Sequence, residues 1–241
     1  MDEKQELLLK WVKQPPARPL IQYLRDAEKV AAWKLMGRSE KAMDLASECN
    51  VTKGIDAKHV TRVDVSKQAS DYASEILRDH VKDFIVIDAE NPQFVVGDQQ
   101  YNAAVSIGPY DWLFLDIHKL TREMYRIIDD DGVLVFSVPT FRSPYATASK
   151  GKLKYYSKED LFALIEATNW KIVDYKLVYQ LKYKLHRFVN RKCPVFVQRL
   201  FVNYCWRMTD VITNTKKWED ASYIVVKLKK NGNCIRSVRN E

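Results

Sequence analysis

Short apolar runs alternate with amphipathic segments along most of this chain. Runs rich in β-branched and apolar residues, each ending in polar or turn residues, predict β-strands at 41–46, 59–65, 83–88, 102–107 and 132–138. Helical periodicity between them predicts α-helices at 66–79, 116–129 and 157–168. Because the strands are nearly continuously apolar and alternate with helices, the pattern indicates an α/β fold with a mostly parallel sheet covered on both faces.

Local signals mark where several of these elements begin. Ser157 and Asp160 form the pattern of a capping box at the start of the helix 157–168. The pair Asp131-Gly132 predicts a turn just before the fifth strand. Pro19, followed by apolar residues at helical spacing, predicts the first turn of an N-terminal helix.

Two later apolar runs, 170–178 and 221–228, bring the predicted sheet to seven strands. A length of 241 residues fits one α/β domain. We therefore expect a helical cap at 1–40, a core domain at 41–230 that contains an insertion at 176–217 before the last strand, and a tail at 231–241.

The net charge of the chain lies almost entirely in that insertion. Residues 176–217 contain ten Lys or Arg and a single Asp, whereas the whole chain carries a formal charge of +8, so the remainder is close to neutral. A charge confined to one segment indicates an anionic partner more than a general means of staying soluble.

Several protein classes are not supported by the sequence. The four cysteines form no C-x-x-C pair and have no histidine at ligand spacing, so neither a zinc site nor a disulfide framework is indicated (Cys49, Cys193, Cys205 and Cys234). The first residues contain no long apolar stretch, and no run is apolar enough to span a membrane. We expect a cytoplasmic protein.

Acidic residues close the first three predicted strands. Asp44 ends the first, Asp64 follows twenty residues later at the end of the second, and Asp88 ends the third. In open α/β sheets, ligands bind outside the carboxyl ends of the strands, where an acid can accept hydrogen bonds from ribose hydroxyls. Helix capping is the other common use of an Asp at a strand end.

In order and wording, the strand blocks resemble the class I S-adenosylmethionine-dependent methyltransferases, which have a Rossmann-like fold, and in particular archaeal members. The resemblance covers residues 41–229. The blocks that carry it are DLASECNVTKGID, VTRVDVS, IDAENPQF, YNAAVSIGP and DDDGVLVFSVP.

This resemblance implies an S-adenosylmethionine site and no metal. Asp64 would bond the ribose hydroxyls, with Val65 beside it, Asp88 would bond the adenine amine, with Ala89 beside it, and Ser106 would line the fourth strand. The loop after Asp44 would pass the methionine part of the donor (Ala46, Ser47, Glu48 and Asn50). Ala46, Glu48 and Asn50 replace the three glycines of the family loop, so the close backbone approach that glycine permits is partly lost. A methyltransferase-like binding module without catalysis therefore stays open.

Methyl transfer from a sulfonium needs an aligned acceptor and exclusion of water rather than a covalent nucleophile. Candidate acceptor-side residues follow the fourth and fifth strands, and His118 is a candidate general base or a helix-capping residue. Arg142 could hold a carboxylate or phosphate, or could be a solvated loop residue. The remaining candidates are Tyr110, Asp111 and Tyr145, with Trp112 and Phe141 as pocket walls or core residues.

The basic insertion interleaves aromatic and aliphatic residues with Lys and Arg. Helical spacing predicts one face with Phe196, Leu200, Phe201 and Tyr204, flanked by Arg199 and Arg207. This composition is typical of a segment that lies on anionic lipid headgroups, and a lid over the acceptor pocket is the alternative. RNA is a less favoured anionic partner, because the apolar content is high.

Similar insertions occur in methyltransferases of glycan and lipid-carrier pathways, and the chain resembles the archaeal S-layer N-glycosylation methyltransferases that esterify a hexuronic acid on a lipid carrier. The resemblance implies O-methylation, at a carboxyl or hydroxyl group, of a lipid-linked sugar at the inner face of the membrane during cell-surface biogenesis. An RNA or small-molecule methyltransferase is the alternative.

Overall fold

The computed structural model describes residues 18–45, 54–64, 81–86, 91–113, 115–143, 153–179, 183–208, 212–213 and 217–232. Within these residues the α-helices are α1 (Pro19–Met36), α2 (Ile117–Ile127), α3 (Lys158–Glu166), α4 (Tyr183–Lys192) and α5 (Val195–Met208). The strands are β1 (Ser39–Leu45), β2 (Ala57–Asp64), β3 (Val81–Val86), β4 (Tyr101–Ser106), β5 (Ile128–Pro139), β6 (Trp170–Val178), β7 (Ile212–Thr213) and β8 (Tyr223–Lys230).

These strands form one mixed sheet in the order β3-β2-β1-β4-β5-β8-β6-β7. The pairs from β3 to β5 are parallel, and β8 is antiparallel to both of its neighbours, β5 and β6. The predicted Rossmann-like α/β fold is confirmed, with every predicted strand present within a few residues. The two-residue strand β7 was not predicted, because so short a pairing has no hydrophobic period.

The predicted turn at Asp131-Gly132 is wrong. Strand β5 already begins at Ile128, and its register with β4 shifts between Tyr101 and Ala103, which makes this stretch an irregular part of the strand rather than a turn. A Cβ on Gly132 would lie 2.5 Å from Ile128 Cγ2 and 2.9 Å from the Asn102 carbonyl oxygen. The glycine therefore permits a close backbone approach inside the strand.

Helices cover both faces of the sheet. On one face α2 and α3 pack through Leu120, Met124 and Leu161 against buried strand residues such as Phe136. On the other face α1 contributes a stripe of buried apolar residues against β4, β5 and β8 (Leu24, Ala27, Ala31 and Leu35 with Val105, Val135 and Val225). The predicted capping box of α3 is confirmed, because Ser157 Oγ accepts the Asp160 backbone N–H and Asp160 accepts the Ser157 N–H.

The basic insertion forms a helical hairpin, α4–α5, that packs on α1. His186 of α4 is buried and donates from Nε2 to the Leu20 carbonyl oxygen at 3.3 Å. Between the helices, Gln198 Nε2 donates to the Cys193 carbonyl oxygen at 3.0 Å. The predicted helix at 66–79 and the outer parts of the predicted cap and tail, 1–17 and 233–241, lie outside the described residues.

Candidate active site

The carboxyl ends of the five parallel strands β1 to β5 lie at one edge of the sheet, called here the carboxyl edge. Backbone pairing aligns Ile85 with Val63 and Val63 with Leu45, and on the other side aligns Ser106 with Phe136. Ser106 Oγ donates to the Leu45 carbonyl oxygen at 3.1 Å, which joins the ends of β1 and β4. Ser106 thus lies at the sheet edge where the sequence places it, fully buried.

Two of the predicted donor-site acids are buried at this edge. Asp44 is one residue before the end of β1, and Asp64 is the last residue of β2. Burying a carboxylate is costly unless it is paired or hydrogen-bonded, so two such acids at adjacent strand ends indicate a polar site rather than ordinary core packing.

Arg62 was not predicted from the sequence as a site residue, and it lies beside both of these acids. It is the parallel-strand partner of Asp44 and lies on the same face of β2 as Asp64. Its side chain is almost completely buried, and its Nε and Nη1 atoms make no hydrogen bond with the residues that the structure describes. The available signal was a basic residue inside β2, two positions before the acid that ends the strand. Together these three residues give the edge a net negative charge.

The remaining predicted donor-site positions lie outside the described residues, as does one acceptor-side candidate. They are Ala46, Ser47, Glu48, Asn50, Val65, Asp88, Ala89 and Tyr145.

Tyr110 and Asp111 form a short 3₁₀ turn, Pro109–Asp111, just after β4. The Tyr110 ring stacks on Phe136 with centroids 3.9 Å apart, and its hydroxyl is 3.0 Å from Thr121 Oγ1. Burial raises the pKa of Tyr110 above its ordinary value. This geometry favours a packing role for Tyr110, whereas Asp111 presents a buried carboxylate beside the site.

Arg142 and His118 lie nearer to solvent. The Arg142 guanidinium is about half exposed and 3.8 Å from Asp220. His118 is exposed in the first turn of α2. Phe141 is also exposed, and Trp112 is partly buried against the core cluster of α2 and α3. All four residues lie near the carboxyl edge, and none is enclosed by it.

A charged cluster on α1 faces the same edge. Arg25 Nη1 donates to Glu28 Oε2 at 2.8 Å, and both side chains are more than nine-tenths buried. The Arg25 Nη2 atom is 3.6 Å from the position that a Cβ on Gly108 would take, in the turn after β4. Its guanidinium carbon lies 5.7 Å from the centroid of the Tyr223 ring at the start of β8.

This cluster was not predicted from the sequence either, although a signal was present. Glu28 follows Leu24 by four residues and precedes Ala31 by three, so it occupies a position on the apolar stripe of α1. A carboxylate at such a position requires a buried partner, and Arg25 stands one helical turn earlier.

Within the described ranges no group of three His, Cys, Asp or Glu residues is placed to hold a metal ion. Nor does any helix there combine the length and apolarity needed to cross a bilayer.

Comparison with known proteins gives one family. Residues 43–136, which run from β1 into β5 and include Asp44, Asp64 and Ser106, match the family described as Methyltransferase domain. No curated protein sequence matches this chain.

Solved structures resemble most of the chain at low sequence identity. The N-methyltransferase NodS from Bradyrhizobium japonicum, solved with S-adenosyl-L-homocysteine, is 12% identical with a TM-score of 0.62, covering 95% of this chain and 99% of its own. The geranyl diphosphate C-methyltransferase from Streptomyces coelicolor is 12% identical with a TM-score of 0.59, covering 95% and 98%. The cyclase SpnF is 18% identical with a TM-score of 0.56, covering 86% and 80%.

Proposed function

We propose that this chain, which carries a methyltransferase domain in a class I methyltransferase fold, transfers a methyl group from S-adenosylmethionine to an oxygen of an anionic, lipid-linked sugar. The observation that carries the donor half is the burial of Asp44, Asp64 and Ser106 at one sheet edge, inside the matched domain. The acceptor half is supported by the buried Arg25 beside the same edge.

The residues at the carboxyl edge suit this donor. S-adenosylmethionine carries a positive sulfonium and an ammonium group, and two buried acids with one buried arginine provide a net negative environment for them. Asp64 is the last residue of β2, and an acid at that position in an open α/β sheet can accept hydrogen bonds from ribose hydroxyls, which supports this role. The two Arg62 nitrogens that lack hydrogen bonds are available to a carboxylate such as that of the methionine part.

When bound, S-adenosylmethionine supplies an activated methyl group, whose transfer to an acceptor oxygen breaks the carbon–sulfur bond and leaves S-adenosylhomocysteine. The contribution of the protein is then to hold the acceptor oxygen in line and to exclude water. Ser106 is fixed by its hydrogen bond to Leu45, and it helps to form a rigid floor for this alignment.

Arg25 favours a carboxylate as the acceptor. Its guanidinium is buried, is held in place by Glu28 and lies beside the turn after β4. A planar guanidinium binds a carboxylate with two parallel hydrogen bonds, which would orient a hexuronate at the donor edge. The Streptomyces coelicolor structure holds geranyl diphosphate in this fold, an acceptor that also joins an anionic group to an isoprenoid chain.

The donor assignment is tested by calorimetry with S-adenosylmethionine. Replacing Asp64 by Ala should weaken donor binding about 10- to 100-fold, because hydrogen bonds to a charged acceptor are lost. The matched control is Asp131→Ala, which removes an exposed carboxylate from the beginning of β5, at the opposite end of that strand from the carboxyl edge. Equal affinity for the two variants would contradict the assignment.

The acceptor assignment is tested by transfer of labelled methyl groups to a lipid-linked hexuronate, to the free sugar acid and to RNA. We expect label on the lipid-linked sugar. Arg25→Gln should raise the acceptor KM at least tenfold while leaving donor affinity unchanged, whereas Lys34→Gln, on an exposed position of the same helix, should change neither.

Arg25→Lys, which keeps the charge but not the planar fork, should give an intermediate KM, and thermal melting identifies any variant that fails to fold. Label found mainly on RNA would overturn the proposed acceptor while leaving the donor site intact.

A further inference from the structure

We propose that the outward face of the α4–α5 hairpin binds the surface of an anionic lipid bilayer and presents the carboxyl edge of the sheet to it. This inference goes beyond methyl transfer, because it depends only on the hairpin and not on the donor site. The hairpin face is defined here as Leu185 and Phe188 of α4 with Val195, Phe196, Leu200 and Tyr204 of α5.

Large apolar side chains stand in solvent on this face. Phe188 is 60% exposed, and Phe196 and Leu200 are each 66% exposed. Phe196, Leu200 and Tyr204 are spaced four residues apart, so they form one stripe along α5. Clustered apolar side chains of this size mark an interaction surface rather than the scattered exposure that is normal in soluble proteins.

The core does not enclose these six side chains, which are 41–66% exposed. The buried residues of α4 are His186 and Val189, and α5 turns Gln198, Phe201 and Val202 inward. Phe201 was predicted to share one face with Phe196, Leu200 and Tyr204, and it is instead partly buried against the core cluster of α1. On a helical wheel, Phe196 lies nearly opposite the inward residues of α5. The hairpin is thus docked by one side and leaves the apolar stripe on the other.

Positive charges surround the stripe without any acidic residue among them. The segment 183–208 contains no Asp or Glu. Five of its cationic residues occupy exposed positions (Lys184, Arg187, Arg191, Lys192 and Arg199). An apolar stripe flanked by Lys and Arg is complementary to an anionic bilayer. The stripe can contact the acyl chains, and the cations can contact the phosphates at the surface.

The charge pattern argues against two other occupants. A second copy of this face would bring two groups of cations together, which is repulsive. Single-stranded RNA would use the charges and the aromatic rings, but Leu185, Val195 and Leu200 are aliphatic and provide no stacking surface for bases.

The hairpin connects to the sheet at the same edge that carries the candidate active site. Strand β6 is parallel to β5, so its last residue, Val178, lies at the carboxyl edge, where it pairs with Tyr223 at the start of β8. In the chain, the hairpin lies between these two residues, so it connects to the sheet at this edge. Binding through the hairpin would therefore bring Arg25 and the donor edge close to the headgroups.

The test is sedimentation of the full chain with vesicles of pure phosphatidylcholine and of phosphatidylcholine with phosphatidylglycerol. We expect binding to the anionic vesicles that is at least tenfold stronger. Phe196→Ser combined with Leu200→Ser should reduce it at least tenfold, and Arg191→Gln combined with Lys192→Gln should reduce it about fivefold for each charge removed.

Matched controls remove the same chemistry elsewhere. Val95→Ser with Val173→Ser removes two exposed apolar side chains outside the hairpin, and Arg122→Gln with Lys171→Gln removes two exposed charges. Both control variants should bind vesicles as the unaltered chain does. All the substituted residues are exposed, so circular dichroism should show that every variant is folded.

Two results would overturn the proposal. One is equal recovery of the unaltered chain with neutral and anionic vesicles. The other is a dimer in solution, or a complex with an RNA oligonucleotide, that is lost in the Phe196→Ser, Leu200→Ser variant while vesicle binding is unchanged.

Discussion

The carboxyl edge of the sheet and the hairpin α4–α5 depart from ordinary burial in opposite directions. The edge buries charged groups such as Asp44, Asp64 and Arg62, whereas the hairpin exposes Phe196 and Leu200. Folding alone favours neither arrangement, because buried charges are costly and exposed apolar clusters gain nothing in water. Each region is therefore where we expect a ligand: a small polar one at the edge, and an extended apolar and anionic one at the hairpin.

The difference between the regions also concerns what holds them in place. The edge residues belong to strands fixed by parallel ladders on both sides, and Ser106 adds a side-chain bond to Leu45. The hairpin is held to α1 by side-chain contacts, among them the packing of Phe201 and Val202 and the hydrogen bond of His186 to Leu20. We expect substitutions in the sheet to affect stability and substitutions on the hairpin face to affect binding.

The largest expected effect contrasts two phenylalanines. Phe136 is fully buried in β5 and stacks on Tyr110, so Phe136→Ala should lower the free energy of unfolding by about 3–5 kcal/mol. Phe196 is 66% exposed, so Phe196→Ala should change it by less than about 0.5 kcal/mol. Urea denaturation measures both values. A large loss for Phe196→Ala would show that the hairpin face is part of the folded core.

The fold was predictable because its signals are local. The runs at β3 and within β5 are rich in β-branched and apolar residues, and the acids at the ends of β1 and β2 follow from where an open sheet binds ligands. The Arg25–Glu28 pair had a local signal within α1, but its position beside Gly108 was not predictable in this way, since that depends on where α1 docks on the sheet. The prediction that Phe201 shares a face with Phe196 and Leu200 was wrong for the same reason, because the spacing of apolar residues in α5 does not show which of them meet the core.

The next effect tests how the hairpin is attached. Burial lowers the pKa of His186 to about 4, against 6.5 in an unfolded chain. Between these values the unfolded chain binds a proton that the folded chain does not, so stability falls as the pH drops from 6.5 towards 4. From the 1.36 kcal/mol per pKa unit, the loss between pH 7 and pH 5 should be about 2 kcal/mol.

Urea denaturation of His186→Gln at the same two pH values should show a loss smaller by about that amount, because the titrating group is gone. The exposed His118 provides the control, and His118→Gln should keep the pH dependence of the unaltered chain. Identical pH dependence in all three proteins would mean that His186 is accessible to protons in the folded state and that the hairpin does not shield it.

The smallest effect concerns the turn that joins the edge to α1. Gly108 has a φ of +115°, a conformation that an L side chain adopts only under strain, so Gly108→Ala should lower the free energy of unfolding by about 1–2 kcal/mol. The added Cβ would meet Arg25 Nη2 at 3.6 Å, an ordinary contact, so the loss reflects backbone strain rather than a clash. Gly232→Ala, with no atom within 4 Å of its Cβ, is the control and should be nearly neutral. The same variant also has a kinetic readout. If relaxing the strain moves the turn, the acceptor KM should rise while donor affinity stays the same, because Ser106, Asp44 and Asp64 precede the turn in the chain. A change in donor affinity alone would contradict the proposal that the donor binds at the carboxyl edge and the acceptor at the Arg25–Glu28 cluster.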